Sequence, residues 1–405
     1  MDEVKLPHQW KKRYLGELGY IKGRIGWRGL AQSEYTEYGP FLIAGKHIKN
    51  GKIDWLRADH ITKDRYEESL EIALEIGDII FSKDGTLGNP AFIDYLPDKA
   101  TINGTMMLVR SLNKYDLYPK FLYYSIDSRQ FKKLIYEKVS GSSIPHLFQR
   151  DMKNFKIVLP PLNEQKKIAN VLSTWDQAID LNEKKLQVEK RVLAQIINTL
   201  TKKNNFINTK YDPISIDKCA LFVNGYAFQS DCYEDQGEYN IVTIGNVQDG
   251  ELNINSQTKK VSKLPVNINK HQILSKDDII ISMTGNVGRV CVVNKSNLLL
   301  NQRVGKFIVE PNIDKSYFYY SLRSKRFLSK MIAKAQGGAQ PNLSTKDIKN
   351  YYINIPEYKK QVIIGKYLNL LDKKINLLKN EVDLLKVQKK GLMQQLLIGK
   401  IRVQP

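Results

Sequence analysis

The residues in this sequence able to do acid–base, nucleophilic or metal chemistry complete no catalytic arrangement. Cys219, Cys232 and Cys291 form no Cys-x-x-Cys pair. His8, His47, His60, His146 and His271 stand at no metal-ligand spacing from one another or from a cysteine, so no metal site is expected. Asn89-Pro90-Ala91-Phe92 comes nearest to the Asn/Asp-Pro-Pro-aromatic loop that holds an extruded adenine, but it lacks the second proline. Gly39 to Lys46 is one residue too long for a phosphate-cradling loop, and His47 stands where a Ser or Thr hydroxyl is needed. Glu183-Lys184-Lys185 has nuclease-like residue types, but lies in a helical charge run of the kind that is normally solvated. Asp176 and Asp372 read as caps or as partners of a basic group rather than as acids. The chemistry left is that of binding.

The charge balance says what is bound. Lys and Arg total 63 against 42 Asp and Glu, a formal net charge of +21. Such an excess points to a polyanion, nucleic acid first. The first seven residues, Met1 to Pro7, lack the apolar run of a secretion signal. No apolar stretch approaches the roughly 18–20 residues that span a bilayer. Three cysteines without a pairing pattern fit a reducing compartment. These features predict a cytoplasmic protein with no membrane segment.

An internal repeat organises the elements that must carry the binding groups. The run from Phe121 to Phe131 returns as Tyr317 to Phe327 at an offset of 196 residues. The same offset joins Gly141, Pro145 and Leu147 to Gly337, Pro341 and Leu343, and Asp176 to Asp372. Upstream the offset drifts by a few residues, as loop insertions require. Gly77 to Gly88 matches Asp277 to Gly288, Ile48 to Ile53 matches Val247 to Leu252, and Asn103 pairs less securely with Asn301. Each copy is a globular unit followed by a helix.

Each unit begins with short β-rich runs broken by Gly, Asn and Asp. Asn50-Gly51 and Asp249-Gly250 are hairpin dipeptides, since a type I′ turn needs positive φ at both central residues. Asp78 to Phe81 and Asp278 to Ile281 predict buried strands. Gly85/Gly88 and Gly285/Gly288 then form a tight loop, either a close approach of backbone to a ligand or a plain sheet-edge turn. Tyr123-Tyr124-Ser125 and Tyr319-Tyr320-Ser321 predict core-facing helices. The fold class expected is α/β (α+β), with two similar mixed domains.

After Pro160-Pro161 and after Pro356 the period changes to that of long helices. Ile168, Leu172, Trp175, Ile179, Asn182, Leu186 and Glu189 follow one heptad seam; Ile364, Leu368, Leu371, Ile375, Leu378, Val382, Leu385 and Lys389 follow the other. Each seam is about 30 residues, or about 45–50 Å. Two stripes in one phase predict an antiparallel coiled coil that places the units at opposite ends of a rod about a pseudo-twofold axis. Asn182, Glu189 and Lys389 are candidate register-setters, with a Glu189–Lys389 contact among the options.

The segment from Ile157 to Ile168, with Pro160-Pro161-Leu162-Asn163-Glu164-Gln165 at its centre, resembles the helix entry of Type I restriction-modification specificity subunits. The strand-plus-glycine segments and the Gly141–Leu147 and Gly337–Leu343 loops are similar too, as is Gly26-Trp27-Arg28-Gly29-Leu30. The second copy keeps one proline and Gln361. The resemblance covers essentially the whole chain. It implies target recognition domains over residues 1–160 and 205–356, and coiled-coil spacer helices over 161–204 and 357–405. It further implies two adenine-N6 methyltransferase (modification) subunits docked on the coil, and restriction (helicase/nuclease) subunits completing the complex on double-stranded DNA. S-adenosylmethionine, ATP and Mg then belong to those partners, and this chain catalyses nothing.

Residue type and loop position nominate the DNA contacts. In the first unit they are Arg24, Trp27, Arg28, Lys46 and Lys83; in the second, Gln229, Arg289, Gln302 and Arg303. Arg pairs with guanine and Gln with adenine, while Lys serves phosphate. The competing expectation is a non-specific architectural double-stranded DNA-binding protein, which leaves the divergence of the two heads unexplained.

Overall fold

The computed structural model describes residues 6–24, 30–139, 146–200, 213–336 and 341–403. The chain divides into two units, Met1–Asn182 with Glu381–Pro405, and Glu183–Asn380.

In the first unit an antiparallel sheet runs in the order Gly19–Gly23, Met106–Ser111, Ile79–Ser82, Gly88–Phe92. In the second, Ala220–Asn224, Val304–Val309, Ile279–Ser282 and Val290–Val292 repeat that order. The strands Ile79–Ser82 and Ile279–Ser282 are buried throughout because both faces are covered. Ile80 and Leu108 turn to a second sheet built on Tyr35–Ile43, whereas Ile79, Phe81, Met107 and Val109 turn to the helices. In the second unit Ile280 and Ile279/Ile281 divide in the same way. Two similar mixed α/β units result.

The predicted aromatic helices are Pro119–Ile126 and Lys315–Leu322, and both are buried from the third residue on. The first hairpin has Asn50 at φ 49° and Gly51 at φ 75°, the positive pair expected. The second differs. Only Gly250 is positive, at 79°, because Asp249 stays in the ordinary region.

Two long helices follow, α1 (Leu162–Leu200) and α2 (Tyr358–Leu397). Each is tied to its unit by one glutamine of the entry motif. Gln165 donates its amide to Pro160 O at 2.9 Å and Asp116 O at 2.8 Å, and accepts from Tyr118 N–H at 2.8 Å. Gln361 donates to Pro356 O at 2.7 Å and accepts from Asp314 N–H at 2.9 Å. One buried side chain thereby joins the end of a strand, the entry to the aromatic helix and the first turn of the long helix.

Along the seam, Leu172, Ile179, Leu186, Leu193 and Leu200 are buried at every seventh position; so are Leu368, Ile375, Val382 and Leu396, with half-buried Lys389 interrupting that series. Trp175, Ile364 and Leu371 are half-buried beside them. The helices run antiparallel within each unit. In the first, Ile168 and Leu172 share a core with Met393, Leu396 and Leu397; in the second, Leu186 and Leu193 share one with Leu368, Ile375 and Leu378.

The polar seam residues do not bond as expected. Glu189 pairs with Lys374 at 2.6 Å, and Lys389, four turns further along α2, pairs with Asp176 at 2.6 Å. Each of the two thus takes a partner within its own unit. Asn182 donates to Ala178 O of its own helix at 2.9 Å, satisfying itself rather than crossing the seam.

Asp176 and Asp372 do take basic partners. Tyr124 Oη donates to Asp176 at 2.7 Å, and Tyr320 Oη donates to Asp372 at 3.3 Å. Burial first, and the carboxylate second, push both phenols far above their ordinary pKa and keep them as donors. The cation differs between copies: it is Lys389 for Asp176, and Arg323 at 3.3 Å for Asp372. The repeat partner of Lys389 is the buried Leu193, and that of Arg323 is Asp127. One charge has been moved from helix to head.

Replacing Gln165 by Ala strands one N–H and two carbonyls. It is expected to lower the unfolding free energy by roughly 2–4 kcal/mol, read from urea melts, while exposed Lys166→Ala changes it by less than about 0.5 kcal/mol.

Candidate nucleic-acid interface

Three loops meet where each central strand leaves its sheet. In the first unit they are residues 83–88, the Asn103–Met106 turn, and the segment beginning at His146. Lys83 N–H donates to Thr105 O, and Leu147 N–H to Lys83 O, both at 2.9 Å. In the second unit Met283 N–H donates to Arg303 O at 3.0 Å, and Leu343 N–H to Met283 O at 2.8 Å. The pairing of Asn103 with Asn301 holds in detail. Asn103 N–H donates to Ile43 O and Asn301 N–H to Val242 O, and each residue closes a tight turn.

Glycines make the first loop possible. Gly85 and Gly88 have φ of 68° and 86°, and Gly285 and Gly288 have 67° and 78°. A Cβ on Gly88 would lie 2.8 Å from Ile135, and one on Gly288 would lie 2.9 Å from Met331, so these two serve packing. Gly85 faces open space, which leaves the loop tip accessible.

The side chains on this shared frame differ between units. In the first, His146 Nδ1 hydrogen-bonds Asp84, and Lys83 Nζ lies 3.3 Å from the same carboxylate. The His146 ring packs on Phe148 at 4.3 Å, and the Arg150 guanidinium stands 4.9 Å from the Phe148 ring. Phe148 is 47% exposed. Lys83, His146, Phe148 and Arg150, with Gly23 and Arg24, line a cleft of about 400 Å³, and Asp84 stands beside it, bonded to His146. In the second, Thr284 Oγ1 donates to Asn342 Oδ1 at 2.9 Å, and no charge takes part.

The nominated residues sort clearly. Gln302 and Arg303 are exposed on the Asn301 turn, where the first unit has Gly104 and Thr105. Gln229 is exposed at the start of the Ser230–Cys232 turn. Arg289 is half-buried and donates to Gln248 at 2.5 Å. Lys83 is the cleft lysine just described. Lys46 lies in the Gly45–His47 turn, whose Gly45 packs on Ser82, and pairs with Asp59 at 2.8 Å. Beside it His47 is buried, which pushes its pKa down and keeps the ring neutral.

Arg24 is a correction. It is 4% exposed, and its guanidinium donates to Ile102 O at 3.1 Å, Ser69 Oγ at 3.1 Å and Thr101 Oγ1 at 3.4 Å. Those bonds tie the strand exit to the second sheet and spend the donors a phosphate or guanine would need. Trp27 and Arg28 lie outside the described residues.

Asp84, Phe148, Arg150, Thr284 and Asn342 were not among the nominated contacts. The repeat carried the signal: it sets His146 opposite Asn342 and Asp84 opposite Thr284, in loops whose glycines are kept and whose polar groups are not.

The model of the Type I restriction modification DNA specificity domain matches residues 7–190 and again 195–386. The chain belongs to this family. The MjaVIII specificity subunit of Methanocaldococcus jannaschii is 26% identical across the whole of this chain and 95% of its own length. The EcoBI specificity subunit of Escherichia coli is 23% identical over 60% of this chain and 56% of its own. The fold is shared with the S subunit from M. genitalium, at a TM-score of 0.58 and 19% identity over 97% of this chain and 98% of that one. A chain from a type I system studied for complex assembly and conformational transition superposes at a TM-score of 0.60, with 16% identity over 98% and 100%. The protein is thus a non-catalytic specificity subunit, a component of a Type I restriction-modification complex. No helix among the described residues is long and apolar enough to cross a membrane.

Within this specificity subunit Arg24 and Arg303 are expected to separate cleanly. Arg24→Ala takes a donor from each of three buried oxygens and is expected to cost roughly 2–4 kcal/mol of unfolding free energy in urea. Arg303→Ala, on an exposed turn, is expected to change it by less than about 0.5 kcal/mol.

Proposed function

We propose that this specificity subunit reads a bipartite, asymmetric site on double-stranded DNA, one half-site per head, and carries two adenine-N6 methyltransferase subunits on its helices. The observation that carries the reading is the three-loop end of each unit: one frame, built twice, with different polar groups. Phosphate contacts give affinity without sequence, so a kept frame whose loops carry different polar groups is what base reading requires. Lys46 and Lys83 serve the first half-site; Gln229, Arg289, Gln302 and Arg303 serve the second. The heads are residues 1–160 and 205–356, and the spacers 161–204 and 357–405. Restriction subunits with helicase and nuclease activity complete the cleaving form. S-adenosylmethionine, ATP and Mg are bound by those partners.

A second stripe on α2 favours the docking role. Ile363, Leu370, Leu377 and Leu384 recur at every seventh position and are each more than 60% exposed, facing away from the seam. Leu181 and Val188 are exposed seven residues apart on α1. Apolar stripes of this kind on a helix suit the face of another helix.

Genome-wide mapping of N6-methyladenine in cells with and without the gene tests the reading. The expected result is one bipartite motif that vanishes with the gene, with Arg303→Ala degrading the second half only. No gene-dependent motif, with an active methyltransferase partner present, would instead support the architectural DNA binder.

Spacer length is tested separately. Seven residues added to both helices at matched register lengthen the rod by about 10 Å, roughly three base pairs. The unread spacer of the motif is expected to grow accordingly while both half-sites stay the same.

A further inference from the structure

We infer that Asp84 is the base-reading residue of the first head, an acceptor for the exocyclic amine of one cytosine or adenine, and that His146 positions it. This rests on the two-headed reading above.

A carboxylate at the centre of a surface that meets DNA phosphates needs an explanation. It repels the polyanion, and in a chain with 63 basic residues it weakens the binding the rest of the surface provides. Asp84 is nonetheless built into that position. It stands two residues beyond the strand end, on the loop whose tip at Gly85 is open. Two loops hold its orientation: His146 bonds it from one side and Lys83 approaches it from the other. Its side chain keeps 31% of its surface exposed, so these partners do not bury it. Lys83 offsets its charge locally, which lets an acid stand near phosphates.

An ionised carboxylate only accepts hydrogen bonds. On the base edges of the major groove the donors are the N4 amine of cytosine and the N6 amine of adenine. Asp84 is therefore fitted to read one of these amines and unfitted to hold a phosphate. Its partner His146 lines the neighbouring cleft, where Phe148 and Arg150 add an apolar face and a cation. The second unit supports the assignment by contrast. The same two loops are cross-tied there by Thr284 and Asn342, a neutral pair that both donates and accepts. The frame therefore does not require an acid, and Asp84 belongs to the particular sequence read by the first head.

The test uses the complete complex with its methyltransferase partner. The wild-type motif is first mapped, and its binding is then measured on duplexes carrying each base pair at every position of the first half-site. Asp84→Asn presents both a donor and an acceptor. It is expected to lower discrimination at one base pair of the first half-site by roughly ten- to a hundredfold, with every second-half position unchanged. Asp84→Thr combined with His146→Asn copies the cross-tie of the second unit and so preserves the loop contact; it is expected to relax the same base pair. His146→Ala is expected to weaken discrimination at that base pair without changing the preferred letter. Unchanged discrimination throughout the first half-site in Asp84→Asn, including a uniform tightening on all sequences, would overturn the assignment and leave Asp84 as an ion-pair partner. A wild-type complex with no bipartite motif would fail at the earlier step, against the two-headed reading itself.

Discussion

The constraint on which this structure depends is that a long helix must leave a mixed α/β head at a fixed angle. A helix entering through a flexible joint would carry the head loosely, and no spacing could be set. Gln165 and Gln361 remove that freedom. Each satisfies the carbonyl of the proline that ends its strand and the backbone N–H at the approach to its aromatic helix, all from inside the core. Glutamine suits this position because its amide donates and accepts at once; a glutamate there would meet the proline carbonyl with a repelling oxygen. About three turns later, the Tyr–Asp pairs repeat the fastening at a second height on the helix.

The repeat was legible where packing fixes residue spacing and faded where loops meet solvent. The unbroken offset of 196 runs from the aromatic helix through the entry motif and into the long helix, because insertions there would shift every buried residue after them. Strand positions were readable for a related reason. Ile79, Ile80 and Phe81 are apolar on successive residues, which only a strand covered on both faces tolerates. The second hairpin was misread because Asp249 can occupy positive φ without being obliged to, and the chain around it did not require it.

Side-chain roles were less legible than elements. Arg24 has the residue type and the loop-edge position of a DNA contact, and nothing local in the sequence reveals that Ser69, Thr101 and Ile102 stand around it. The seam pattern located Glu189 and Lys389 correctly on one stripe. Their partners depend on the register between two helices some 200 residues apart in sequence, which periodicity alone leaves free. Comparing the two copies recovers part of what a single copy hides. The exchange of Lys389 for Leu193, and of Asp127 for Arg323, shows a fixed need, one cation for one tyrosine-bonded aspartate, met from two directions.

The first unit is assembled from both ends of the described chain. Trp10 Nε1 donates to Glu164 at 3.0 Å, Arg402 pairs with the same carboxylate, and Met393, Leu396 and Leu397 complete the core beneath them. The second unit is one continuous stretch. Loss of the residues after 380 would therefore spare the stretch that makes the second unit and take Met393, Leu396 and Leu397 out of the core of the first.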